Sequence, residues 1–174
     1  MMNPGVPRPP ASSRDGHGRQ YWALFGNPSI YRVEEAVRQL DTDLWTTKGR
    51  EIRAGDRVMI WKGAGRDGYR GVVALGEVLT DREMLPDADN PYWVRPPAPD
   101  DLEERVSVRY VLPSGLPLFK RREPDPVLDA LSVSRATGGT VFRVTCDFDN
   151  AEWPISILGN GPPVRAITRK VVRP

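Results

Sequence analysis

Five tryptophans dominate the chemistry open to this chain: Trp22, Trp45, Trp61, Trp93 and Trp153. Each stands beside turn residues, strand ends or polar groups, and none lies inside a long apolar run. A flat indole so placed can wall a pocket for a planar ligand. Trp45 is followed by Thr46, Thr47, Lys48 and Gly49, and Trp93 lies in a Pro- and Asp-rich stretch, so both are candidate walls. Trp22 fits a pocket floor or the core, Trp61 a rim or the core, and Trp153 the core. Acid–base catalysis has less to work with. The only histidine, His17, sits in a Pro-, Gly-, Ser- and Arg-rich leader, where no fixed geometry is available to a base or a metal ligand. Cys146 is the only cysteine, which excludes an internal disulfide and argues against a cysteine-built zinc site. The pairs Asp100-Asp101 and Glu103-Glu104 lack metal-site spacing. The expectation is a binding protein with no catalytic residue, no metal and no cofactor.

A nucleobase is a planar ligand whose energetics suit such a pocket. Drawing a base from its stack costs a few kcal/mol. Stacking on aromatic side chains returns roughly 1–3 kcal/mol per base, whatever its identity. Identity then rests on hydrogen bonds to the base edge, for which Asn27, Thr46 and the backbone of the 26–29 turn are suited. Phosphate contacts fall to cations, here Lys48, Arg50 and the run Lys120-Arg121-Arg122, where adjacent charges raise the local potential. The net charge of +2 is unevenly spread: residues 1–20 carry three arginines against Asp15, and residues 161–174 carry four basic residues and no acid. Basic ends on a mildly acidic body suit either a polyanion partner or plain solubility.

The elements that must position these residues are legible in outline. Residues 1–19 form an expected disordered leader and 161–174 a basic tail, leaving 20–160 as one domain. Hydrophobic content of 39% with 28% charged residues fits a soluble globular protein, no membrane span is present, and a cytoplasmic location fits. Residues 21–25 read as a strand closed by Gly26-Asn27-Pro28. Val33, Ala36, Val37 and Leu40 recur at helical spacing, and 45–49 reads as a polar connection. Gly55-Asp56 marks a tight turn into a strand at 58–61, 63–68 is a hairpin loop, and 71–79 is the returning strand. Residues 81–101 are Pro- and Asp-rich around the island Tyr92-Trp93-Val94, while 106–110 alternate as a strand. A short helix is expected over 124–131, a strand over 140–145 and a helical end over 152–158. The order β-α-β-β-β-α-β-α predicts a small α+β barrel.

Taken together, Tyr21–Pro28, Ile52–Trp61, Gly71–Val78, Tyr92–Val94 and the block from Val106 to Leu118 resemble the EVE domain family over about residues 20–158. That family is similar to the YTH and ASCH domains of the PUA-like superfamily. The resemblance implies a PUA-like curved β-barrel flanked by short helices. It also implies a non-enzymatic reader of nucleic acid, often of a methylated cytosine or adenine, with modified DNA favoured over RNA as partner. Some relatives are fused to, or encoded beside, modification-dependent restriction enzymes, which implies a restriction-system protein as a second partner. YTH readers hold a methylated base between tryptophans in a Trp-Ser-Thr and a Trp-Val phrase, and Trp45-Thr46-Thr47 and Trp93-Val94 are similar in the same order. Their Ser-Asn-Asn phrase is matched here only at Asn27. Three rival readings follow: an RNA-binding module acting on tRNA or rRNA, a nucleoside or RNA hydrolase of ASCH type, and a binder of a small planar molecule.

Overall fold

The apolar residues of 57–62 and 70–78 are covered on both sides, and that makes their strands the middle of the sheet. The computed structural model describes residues 18–112, 116–126, 128–136 and 139–144. The expected tail, the helical end over 152–158, Trp153, Cys146, His17 and all but Gly18 and Arg19 of the leader lie outside the described residues. The strands are β1 (Tyr21–Gly26), β2 (Thr42–Thr46), β3 (Arg57–Lys62), β4 (Arg70–Val78), β5 (Glu83–Leu85), β6 (Glu103–Val111), β7 (Leu118–Lys120) and β8 (Val141–Val144). A single α-helix among the described residues, α1 (Val33–Gln39), follows β1, and a 3₁₀ turn (Ser132–Arg135) precedes β8.

These strands make one curled sheet in the order β2-β6-β4-β3-β1-β8, with β5 added to β6 and β7 to β4. Only β1 and β3 pair in parallel, Trp22 opposite Val58 and Leu24 opposite Ile60. A parallel pair needs a crossover, and α1 with β2 supplies it. The inner face carries Trp22, Leu24, Val58, Ile60, Ala74, Val106 and Val108, plugged by Val33, Ala36 and Val37 of α1. The opposite face of β1 and β3 carries Ala23, Met59 and Trp61, roofed by Leu128, Leu131 and Val133. The result is the PUA-like curved half-barrel with a flanking helix.

Two glycines allow the curl. A Cβ on Gly76 would lie 2.6 Å from Val108 Cγ1 and 2.9 Å from Val58 Cγ2, so the concave face has no room for a side chain there. Gly71 adopts φ 153°, and a Cβ would overlap the Leu118 carbonyl of β7. β4 can therefore pair with β7 through residues 70–72 and with β6 through 75–78 on one edge.

Two expected elements differ. The connection read over 45–49 begins as strand, because β2 runs to Thr46 and pairs Trp45 with Val106. The short helix expected over 124–131 is instead a set of turns. Pro124 and Pro126 cannot donate backbone bonds. Asp125 and Asp129 take backbone N–H groups with their side chains, Leu128 N–H to Asp125 at 2.9 Å and Asp125 N–H to Asp129 at 2.8 Å.

Gly76→Ala is expected to lower stability by about 1–3 kcal/mol through overpacking of the concave face. Urea unfolding against wild type measures it; an unchanged midpoint would contradict the close packing described.

Candidate functional site

Among the described residues the sheet does not close on itself. Its terminal strands in the pairing order are β2 and β8, and a cleft of about 300 Å³ opens between the ends of β1, β2 and β8 and the loop after Tyr92. Asn27, Trp45, Thr46, Lys48, Trp93 and Thr140 all line it, together with Tyr31 and Arg95. The structure thus brings together four of the six residues assigned to a base pocket from sequence: Asn27, Trp45, Thr46 and Trp93.

The walls are held from behind. Trp45 is 8% exposed, and its indole N–H donates to the Tyr110 hydroxyl at 2.8 Å. The Trp93 N–H donates to the Asp87 carbonyl at 2.7 Å and to its carboxylate at 3.2 Å. Tyr31 stands edge-on to both indoles, 6.2 Å from Trp45 and 4.9 Å from Trp93 between ring centres. Backbone bonds fix the Trp93 loop to the 27–32 turn: Arg32 N–H to the Tyr92 carbonyl, and Val94 N–H to the Ile30 carbonyl. Both indole N–H groups are therefore spent on the protein, which leaves ring faces rather than polar edges for a ligand.

Behind the rings lies a buried polar cluster. Asp43 accepts the Tyr31 and Tyr110 hydroxyls at 2.6 Å each, and the Asn90 amide and Leu44 N–H at 2.9 Å. Burial pushes the Asp43 carboxyl up while those four donors pull it down. Burial and then the Asp43 charge push both tyrosine hydroxyls upward, so they stay protonated donors. Asp87 is pushed up to about 6, chiefly by burial and further by Asp43, against the lowering pull of Arg105. Arg105 is itself buried, 3.8 Å from Asp87 and 3.4 Å from Glu103.

At the mouth, Asn27 Oδ1 accepts the Ser29 N–H at 2.9 Å and so closes its own turn. Its amide group makes no hydrogen bond among the described residues and remains a donor. Thr46 bonds Glu103, and Lys48 pairs with Glu103 at 2.8 Å, holding that carboxyl below the usual range.

Other assigned residues lie elsewhere. Trp22 is 5% exposed and donates to Asp56 at 3.0 Å, locking the Gly55-Asp56 turn. Trp61 is 1% exposed on the opposite face of β3, under Leu128 and Leu131. Both are core residues, because β1 and β3 are covered on two sides. Lys120 is buried and ion-paired to Asp129, which removes it from phosphate contact. Arg121 stacks 4.1 Å over the Tyr69 ring. Arg122 is exposed, and none of the three lines the cleft. Arg50 lines an adjoining groove. Sequence reasoning missed Tyr31, Asp43, Asp87, Asn90, Arg105 and Tyr110. The one available signal was the alternation that puts Asp43 on the same face as Trp45.

The sequence profile of the EVE domain matches residues 20–150. The chain belongs to the EVE domain family. EVE domains are PUA-like and commonly bind nucleic acid. No curated protein sequence is detectably similar to this EVE domain. Among solved structures it is similar to a hypothetical protein from Leishmania major, with 18% identity and TM-score 0.36 over 54% of this chain and 66% of that one. It is also similar to the DUF55 domain of human thymocyte nuclear protein 1, with 18% identity and TM-score 0.35 over 53% of this chain and 65% of that one. The EVE domain thus covers just under two thirds of either neighbour. Among the described residues no helix is long and apolar enough to cross a membrane.

Two outcomes test this cluster. Asp43→Ala strands two tyrosine hydroxyls and an amide, and is expected to cost about 3 kcal/mol or more in chemical denaturation. For Asp87 the sign follows from its folded value near 6 against an ordinary 3.8. Between these values the native state holds a proton that the unfolded chain releases, so stability falls as pH rises. Wild type minus Asp87→Asn, followed by thermal unfolding, should decline across that window; a flat difference contradicts the assignment.

Proposed function

We propose that this EVE domain binds nucleic acid by accepting one extruded, methyl-bearing base, favoured in DNA, into the cleft walled by Trp45 and Trp93. The observation that carries the reading is an aromatic cleft whose rings are fixed before any ligand arrives. Stacking returns roughly 1–3 kcal/mol per base against a few kcal/mol of unpairing cost. Walls already ordered by Asp43, Tyr110 and Asp87 add little entropy loss to that balance. A buried methyl supplies on the order of 1 kcal/mol of preference, at about 25 cal/mol per Å².

Asn27 refines the edge chemistry. With its oxygen committed to Ser29, it offers a donor, and so complements an acceptor such as cytosine O2 or an adenine ring nitrogen. The domain acts in this reading as a reader without turnover, serving a modification-dependent nuclease as partner. Asp87, the carboxyl poised near neutrality, lies behind Trp93 and lines a neighbouring cavity rather than the cleft.

The test is equilibrium binding to oligonucleotides carrying 5-methylcytosine, N6-methyladenine or neither, as single and double strands of DNA and RNA at one salt concentration. Trp93→Ala is the informative variant, since Trp45→Ala would also cost about 3–5 kcal/mol of stability. Trp93→Ala should weaken modified-strand binding by about tenfold or more while its melting transition stays cooperative. If wild type and variant bind modified and unmodified strands equally, the reading is wrong. Stronger binding to structured RNA without modification would favour the RNA module instead.

A further inference from the structure

A second cavity continues the cleft beyond Lys48 and Thr140. It measures about 510 Å³ and runs between the Lys48-Gly49-Arg50 turn after β2 and the Gly139-Thr140-Val141 segment entering β8. Lys48 and Thr140 line both cavities, so the two share a wall. This groove differs in kind from the aromatic cleft. Among the described residues its lining has no ring and no carboxylate, two cations and two glycines.

Its backbone is also unusual. Lys48 holds φ 48° and Gly49 φ 74° in succession, and Gly139 on the facing wall holds φ 88°. A non-glycine residue in the left-handed region costs free energy that the surrounding structure has to offset. In this turn the Lys48 N–H is bonded to Thr46 Oγ1 at 3.4 Å and the Arg50 N–H to the Thr47 carbonyl at 3.0 Å, which leaves the Gly49 amide as the donor it offers. The Gly49 N–H makes no hydrogen bond among the described residues. Thr140 lines both cavities, and its hydroxyl is buried beneath that wall with no hydrogen-bond partner among the described residues. Such an orphan is rare and costly unless something else completes it.

We propose that this groove is a phosphate subsite, holding the backbone phosphate next to the nucleotide whose base enters the cleft. The proposal rests on the base-reading assignment for the orientation of the strand, and the groove itself stands on its own geometry. Arg50 supplies the principal charge. Lys48 supplies a second donor, shared with Glu103 at 2.8 Å. The Gly49 amide supplies a neutral donor, and rotation of the buried Thr140 hydroxyl toward the groove supplies a second. An anion here exchanges its water shell for fixed donors, and the protein's orphan groups gain partners. A strand would then run from the seam across the β2–β3 connection, away from Arg121 and Arg122.

Amide NMR of the intact chain separates the two assignments. Inorganic phosphate is the first probe, 5-methyldeoxycytidine the second and its 5′- and 3′-monophosphates the third. Phosphate should shift the amides of Gly49, Arg50, Gly139 and Thr140, with affinity about tenfold weaker in Arg50→Gln and lower again in Arg50→Glu. One monophosphate should bind more tightly than the nucleoside, and Arg50→Gln should abolish that gain. Phosphate shifts spread over all exposed arginines, or unchanged by Arg50→Gln, would overturn the groove. Indole N–H shifts of Trp45 and Trp93 with the nucleoside report on the cleft separately, so either assignment can fail while the other survives. Thr140→Val, which keeps shape and removes the hydroxyl, should weaken phosphate binding; equal binding would remove that residue from the subsite.

Discussion

One buried carboxylate organises this protein. Asp43 gathers donors from four places: Tyr31 before α1, Leu44 beside it on β2, Asn90 in the long loop, and Tyr110 on β6. Charge burial of this kind is tolerable only when every lone pair is used. Satisfying Asp43 therefore dictates where those elements lie. Tyr110, so held, accepts the Trp45 indole N–H. Asn90 also donates to Tyr31 at 3.1 Å and accepts the Tyr92 N–H at 3.0 Å, which brings the polypeptide to Trp93. Ring positions at the cleft are thus consequences of a hydrogen-bond requirement some distance behind it.

The open seam gives that arrangement a use. A fully closed barrel would fill its interior with side chains. Among the described residues β2 and β8 remain apart, and the space between them is lined by rings on one stretch and by backbone turns and cations on the next. The two stretches match the two halves of a nucleotide, one flat and apolar, one charged and hydrated. Neighbouring cavities of such different character, joined through Lys48 and Thr140, suit a ligand that is itself amphipathic.

The outline was readable because turn residues and short β-branched runs punctuate this chain cleanly: β1, α1, β3, β4, β6 and β8 lie close to where pattern puts them. Trp45 and Trp93 were legible for a related reason, since an indole among polar residues stands out. Failure came where burial hides periodicity. Trp22 and Trp61 sit in strands covered on both faces, so alternation could not tell wall from core. The end of β2 was read as part of a polar connection over 45–49, and its inward residue Asp43 went unnoticed because that carboxylate's partners are up to 67 positions away in sequence. Lys120 looked like a surface cation because its partner Asp129 lies across a turn-rich segment that resembles a helix. Each miss turns on tertiary burial or a side-chain partner that local pattern does not report.

The pairing of β1 with β8 has a temporal meaning. Tyr21 faces Val144 across the sheet, so strands from opposite ends of the domain are neighbours. Contacts this distant in sequence form late, after the cost of closing the intervening loop has been met. β1 leads into Asn27 and Thr140 leads into β8, and both residues flank the cleft. During synthesis Asn27, Trp45 and Trp93 all precede β8, so the Thr140 side of the cleft is the part still missing. The cleft is then completed in one step, when the last described strand docks on β1.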